Sequence, residues 1–133
     1  MRSVIFLLWT TLLFSGDLYV DKTNQIMWQD NADCRYKTMT WHDAKRYCMD
    51  LELGGYDDWW LPGESQLSTL IDPARPRGRR IIKELNHFAP DGYWSATTYA
   101  WNAPFAWVVD FQDGYSRSVE KLRLYHVRCF RRP

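Results

Sequence analysis

Three cysteines, Cys34, Cys48 and Cys129, limit what this 133-residue chain can become. An odd count leaves one bridge and one spare thiol, or a bridge to another molecule, and three intrachain pairings are open. Their surroundings differ. Trp41, Ala44, Cys48 and Leu51 recur at three- and four-residue spacing, which puts Cys48 on the apolar stripe of a helix. Cys129 follows the alternating Leu124, His126, Arg128 of a terminal strand, and Cys34 lies in the polar stretch Asn31-Ala32-Asp33-Cys34-Arg35, which reads as a loop. Burial favours pairing Cys48 with Cys129, although spacing alone does not decide it. Such a bridge closes a loop of roughly 80 residues and contributes about 4 kcal/mol in the chain-entropy description.

The first residues bear on whether a bridge forms at all. Met1-Arg2 is followed by Val4-Ile5-Phe6-Leu7-Leu8-Trp9 and Leu12-Leu13-Phe14, then by the small residues Ser15-Gly16. A basic tip, an apolar run and small residues are the layout of a secretory signal peptide. The run falls short of the roughly 20 residues that cross a bilayer with margin, and no cysteine follows it to take a lipid anchor. Residues 1–16 are therefore expected to be removed, leaving one domain over 17–133 with no membrane span. An uncleaved anchor or a buried N-terminal strand is the competing reading. Export places the cysteines in a disulfide-permissive compartment, the periplasm or the exterior.

A chain this short buries only about two-thirds of its unfolded surface, so a covalent staple matters. Eight tryptophans and eight tyrosines supply core area without long helices, and those left over are candidates for an exposed binding face. Without Arg2 the formal charge is zero, yet acidic residues lead eleven to five up to Ala74 and basic residues lead eleven to five from Arg75 onward. The split implies either a basic surface for an anionic partner or two mutually attracting halves of one fold.

Leu18–Asp21, a Lys22-Thr23-Asn24 turn and Gln25–Gln29 read as a hairpin. Thr40, with Asp43 three residues on, opens the Cys48 helix, and Gly54-Gly55 are expected to end it. Glu64–Asp72 reads as a shorter helix stopped by Pro73, and Ile81–Phe88 as a further helical turn. Arg75–Arg80 is a loop by composition. Tyr93–Thr98, Phe105–Phe111, Tyr115–Glu120 and Leu124–Phe130 are strands, with Asp113-Gly114 a hairpin turn. Helices first and an antiparallel meander last make an α+β arrangement.

Seven ordered blocks then carry a resemblance. They are Ile26-Met27-Trp28-Gln29-Asp30; Thr40-Trp41, Ala44, Tyr47-Cys48 and Leu51; Leu53-Gly54-Gly55-Tyr56 with Asp58-Trp59-Trp60-Leu61-Pro62; Leu67, Leu70-Ile71-Asp72; Tyr93–Thr97; Ala106–Phe111 with Gly114; and Val127-Arg128-Cys129. Together they resemble the Lcl C-terminal domain family, named for the C-terminal domain of the Legionella collagen-like adhesin. The resemblance implies a compact C-type-lectin-like α+β fold, two helices packed on antiparallel β-hairpins, with the helix cysteine bridged to the last strand. It thus supports Cys48–Cys129 independently. Two positions depart from the pattern: Trp60 stands where arginine is usual, and Gly63 stands where a threonine or serine cap is usual. No collagen-like Gly-x-y stretch is present, so the trimerisation that such a stalk would give is not implied.

The chemistry on offer is limited. His42, His87 and His126 are widely spaced and fit no zinc pattern. The Glu-Pro-Asn signature of calcium-dependent lectins is absent, Asp57, Asp58 and Asp110 are scattered, and Asp58 is read as fixing a turn, so neither metal nor cofactor is expected. Cys34 could act as an activated thiol beside Arg35 and Lys37, the one enzymatic reading. The arginine loop points elsewhere. Arg75, Arg77, Arg79 and Arg80 set four guanidinium groups in six residues, and arginine forks match sulfate and carboxylate oxygens. The competing reading is a solvated, mobile loop. Tyr99, Trp101 and Asn102 form a second candidate contact, since aromatics with an amide suit a sugar. The expectation is a non-enzymatic exported recognition or adhesion domain for an anionic, glycosaminoglycan-like or cell-surface polysaccharide, without nucleic acid. The alternative is a protein-interaction or structural subunit of an envelope assembly, a role compatible with an oligomer.

Overall fold

The computed structural model describes residues 17–133; the expected signal peptide at 1–16 lies outside the described residues. Strands β1 (Leu18–Asp21) and β2 (Ile26–Gln29) form the expected hairpin. The turn is held by the Asp21 carboxylate, which accepts the Thr23 and Asn24 amides at 3.1 Å. A four-residue helix α1 (Asp33–Tyr36) follows, then β3 (Thr38–Met39) and the ten-residue α2 (Trp41–Asp50). Thr40 caps α2 by accepting the Asp43 amide, and Trp41, Ala44 and Cys48 form its buried stripe. After α3 (Glu64–Ser68) come β4 (Gly92–Thr98), β5 (Phe105–Asp110), β6 (Ser116–Glu120), β7 (Tyr125–His126) and β8 (Phe130–Arg131).

Two sheets result, one in the order β1-β2-β8 and one in the order β3-β7-β4-β5-β6. Among the described residues only the β4–β7 pair is parallel. Side chains alternate across a strand, and this divides the core. Tyr93 and Val109, paired in register, face one apolar cluster with Trp28, Leu67, Leu70, Ile81 and Phe111. Their neighbours Trp94 and Val108 face a second cluster with Trp41, Ala44, Cys48, Trp59 and Cys129. The central strands are therefore buried on both faces, which accounts for the heavy aromatic load.

The Cys48–Cys129 bridge forms, spanning 81 residues with Cα atoms 5.5 Å apart. Beside it lies a buried polar group. Arg128, fully buried, donates from Nη1 to the Gln29 carbonyl and, at 3.4 Å, to Asp30 Oδ1, and from Nη2 to the His87 carbonyl. Asp30 also accepts the Asn86 and His87 amides at 2.9 Å each. Gln29 accepts the Cys129 amide at 3.0 Å and donates to Tyr47 and Asn31 at 2.9 Å.

Several local expectations need correcting. The last strand is not continuous. His126 to Arg131 are all buried, and the chain changes sheets between β7 and β8, because the segment has both sides covered rather than one. Gly54-Gly55 do not cap α2, whose extended C-cap is Leu51. With φ of 65° and 83° they instead turn a small hairpin between Leu53 and Tyr56. The second helix stops at Ser68, since Ile71 turns away to bridge Ile81. Ile81–Phe88 forms no helix, because the amides at 86 and 87 are taken by Asp30. Gly63, as expected, supplies no side-chain cap to α3, but Thr97 of β4 accepts the Glu64 amide at 3.0 Å in its place.

Two outcomes follow for stability. Replacing both bridged cysteines, Cys48→Ala with Cys129→Ala, is expected to lower urea-unfolding stability by about 4–5 kcal/mol. Arg128→Met leaves the Asp30 carboxylate buried without its ion partner and is expected to cost about 3–5 kcal/mol, with Arg128→Met/Asp30→Leu less damaging than the sum of the single changes. A measured loss below about 1 kcal/mol for Arg128→Met would contradict this account.

Candidate functional site

The arginine loop is built on the turn between β5 and β6. Its base is closed by the Ile71–Ile81 bridge. From there the Gly78 amide donates to the Gln112 carbonyl and the Arg80 amide to the Phe111 carbonyl, both at 2.8 Å. The Arg79 amide closes an inner turn on Pro76 at 3.2 Å. Gly78 takes φ 96°, a conformation that a side chain would oppose. The loop is thus hydrogen-bonded through its backbone to a strand turn.

The four arginines divide into two pairs. Arg75 donates from Nη1 to the Ile81 carbonyl, and Arg80 from Nη1 to the Asp113 carbonyl at 3.4 Å, so both brace the loop from within. Arg77 and Arg79 are exposed and form no ion pair among the described residues. Beside them Arg117 is pinned between Asp113 and Asp110, the latter at 3.3 Å. The Arg117 hydrogen bond holds the Asp113 carboxyl below its ordinary range, while burial raises that of Asp110. Tyr115, 66 % exposed, projects from the same turn. The strand expected from Tyr115 starts at Ser116, and Tyr115 belongs to the turn, where the Asp113 carboxylate accepts its amide at 3.0 Å.

Tyr99, Trp101 and Asn102 lie at the other end of β5, in the β4–β5 connection. Six strand residues separate the two ends, a distance of about 20 Å. The structure therefore brings Arg75, Arg77, Arg79 and Arg80 together, but does not bring the aromatic group to them. Tyr99 is half-buried with its ring edge on Trp107, 5.4 Å between centroids. Trp101 is 85 % exposed and Asn102 is exposed.

The remaining candidates have structural partners. Asp58 does not fix a turn; its two oxygens take the Arg131 guanidinium at 2.6 and 3.0 Å, and that group lies over the Tyr56 ring. His126 is buried and stacked on Tyr93, and burial lowers its pKa. His87 Nδ1 lies 3.0 Å from the Asp30 carbonyl. Among the described residues no group of three metal-ligating side chains is arranged to hold an ion. Cys34 sits in α1 with no exposed surface, and burial raises its pKa despite nearby Arg128. The lowering expected from Arg35 and Lys37 is not found, because both side chains are exposed while the thiol points inward.

An α+β domain with a helix-to-C-terminus disulfide and this strand order is C-type-lectin-like. Botrocetin, a C-type-lectin-like protein of known crystal structure, superposes with a TM-score of 0.57 at 11 % identity, over 88 % of this chain and 97 % of its own. The Lcl C-terminal domain profile matches residues 17–131, and the chain belongs to that family. No curated protein matches significantly.

In native protein Cys34 is expected to resist iodoacetamide, with labelling at least about a hundredfold slower than for the same chain unfolded in urea. Peptide mapping would show this, and prompt native labelling would revive a thiol-based activity.

Proposed function

We propose that this is an exported, non-enzymatic recognition domain that holds an anionic polysaccharide on the arginine loop. The observation that carries this reading is the pair Arg77 and Arg79: exposed, without ion partners among the described residues, and mounted on a loop whose backbone is already fixed. A fixed loop loses little conformational freedom on binding. Guanidinium forks take sulfate or carboxylate oxygens in pairs, and Tyr115 adds a face on which a sugar ring can stack. Arg75 and Arg80 keep the loop in shape. Tyr99, Trp101 and Asn102, about 20 Å away, can meet only a ligand of polymer length.

Family membership supports adhesion, and the disulfide agrees with an oxidising compartment, either the periplasm or the exterior. Among the described residues no helix is long and apolar enough to cross a membrane.

The test is heparin chromatography and titration calorimetry at several salt concentrations. The wild-type chain should be retained and lose affinity steeply as salt rises. Arg77→Ala/Arg79→Ala should weaken binding roughly tenfold without a change in thermal stability, given about 0.5–1 kcal/mol per exposed charge contact. Elution at low salt, or equal retention of the double variant, would refute the assignment.

A further inference from the structure

Among the described residues the two most exposed large apolar side chains, Trp101 at 85 % and Leu122 at 80 %, stand on neighbouring connections at one end of the domain. Phe105 pairs with Glu120, and the Lys121 amide donates to the Pro104 carbonyl at 2.9 Å, which sets the 99–104 and 121–124 segments side by side. Leu124, 63 % exposed, continues the second segment. Beneath them the ammonium groups of Lys121 and Lys45 lie over the Trp41 ring at 3.9 and 4.6 Å. Lys121 also donates to Thr98 Oγ1 at 3.0 Å. Arg123 is exposed on the same segment, and His42 is exposed on the first turn of α2. Asp43 and Glu120 are the carboxylates nearby, so Lys45, Lys121 and Arg123 leave a positive balance.

We infer that this end of the domain docks onto an anionic phospholipid surface, with Trp101 and Leu122 entering the headgroup–acyl boundary and the three cations facing lipid phosphates. The chemistry separates this occupant from others. A sugar would gain from Trp101 and Asn102, yet Leu122 and Leu124 offer it neither a flat ring nor a hydrogen bond. A protein partner would need pockets shaped to side chains that project from loop tips, whereas a fluid bilayer moulds to any convex surface. Tryptophan settles at the interface, leucine adds apolar depth, and flanking lysine and arginine supply attraction to anionic lipid. The lysines are held in place by the Trp41 ring and Thr98. The surface is therefore formed before contact. It lies at the opposite end of β5 from the arginine loop, so the inference does not depend on glycan binding.

The full chain is tested against vesicles of phosphatidylglycerol and phosphatidylcholine, and against phosphatidylcholine alone. Any contribution from residues 1–16 is common to all variants. Trp101→Ser/Leu122→Ser is expected to reduce partition to the anionic vesicles about tenfold or more, with Arg77→Ala/Arg79→Ala close to wild type. A nitroxide attached to Trp101→Cys reads depth at the site itself, and buried Cys34 stays unlabelled. In vesicle-bound chain it should collide with dissolved oxygen in preference to a water-soluble nickel complex, whereas the same label on Tyr115→Cys should remain in water. The inference fails if position 101 stays accessible to the nickel complex, or if the serine variant partitions like wild type. It fails equally if the serine changes instead abolish a concentration-dependent association between protein molecules.

Discussion

A fully buried guanidinium is stable only where carboxylate and carbonyl oxygens surround it, and Arg128 has gathered them from two distant parts of the chain. Gln29 and Asp30 arrive from the end of β2, and the His87 carbonyl arrives from the segment before β4. The disulfide at the adjacent Cys129 fixes where the arginine can be. Without that tether the ion pair would have to close a 98-residue separation by itself. Without the ion pair, the bridge would anchor a segment whose polar groups had no partners. The helix, both sheets and the 86–88 segment all take position from this one junction.

This junction explains part of what the sequence carried. Met27-Trp28-Gln29-Asp30 and Val127-Arg128-Cys129 read as separate blocks of a family pattern. In space they are the two halves of one hydrogen-bonded group. The first hairpin, the Thr40 cap and the Asp113-Gly114 turn were legible because each depends on neighbours within a few residues. Spacing left all three cysteine pairings open, and the choice of Cys48–Cys129 rested on the burial pattern together with the family resemblance. What stayed hidden was set by distant partners. The break between β7 and β8 follows from burial on both sides, the loss of helix at 81–88 from the claims of Asp30 on amides, and the fate of Asp58 from Arg131. The division of the candidate site could not be read either, because proximity along a chain says nothing about which end of a strand a loop occupies.

The uneven charge along the chain turns out to serve two ends. Asp30 with Arg128, and Asp58 with Arg131, join the acidic first half to the basic second half. Those pairs account for the attraction between halves. The exposed arginines of the 75–80 loop are not consumed by it, and Arg117 of the second half is matched by Asp110 and Asp113 of the same half. Exposed Arg77 and Arg79 thus leave part of the basic surplus at one tip of the domain, and Lys45 and Arg123 leave another part at the opposite end of β5.

The clamp on that tip has a consequence for how such a domain can diversify. Its shape rests on backbone amides, carbonyls and the φ of Gly78, together with the inward arginines, and not on the side chains at 77 and 79. Those two positions can be rewritten freely while the loop keeps its outline, much as a fixed frame accepts different inserts. Acidic, aromatic or amide pairs placed there would change the surface that the loop presents without asking the fold for a new solution.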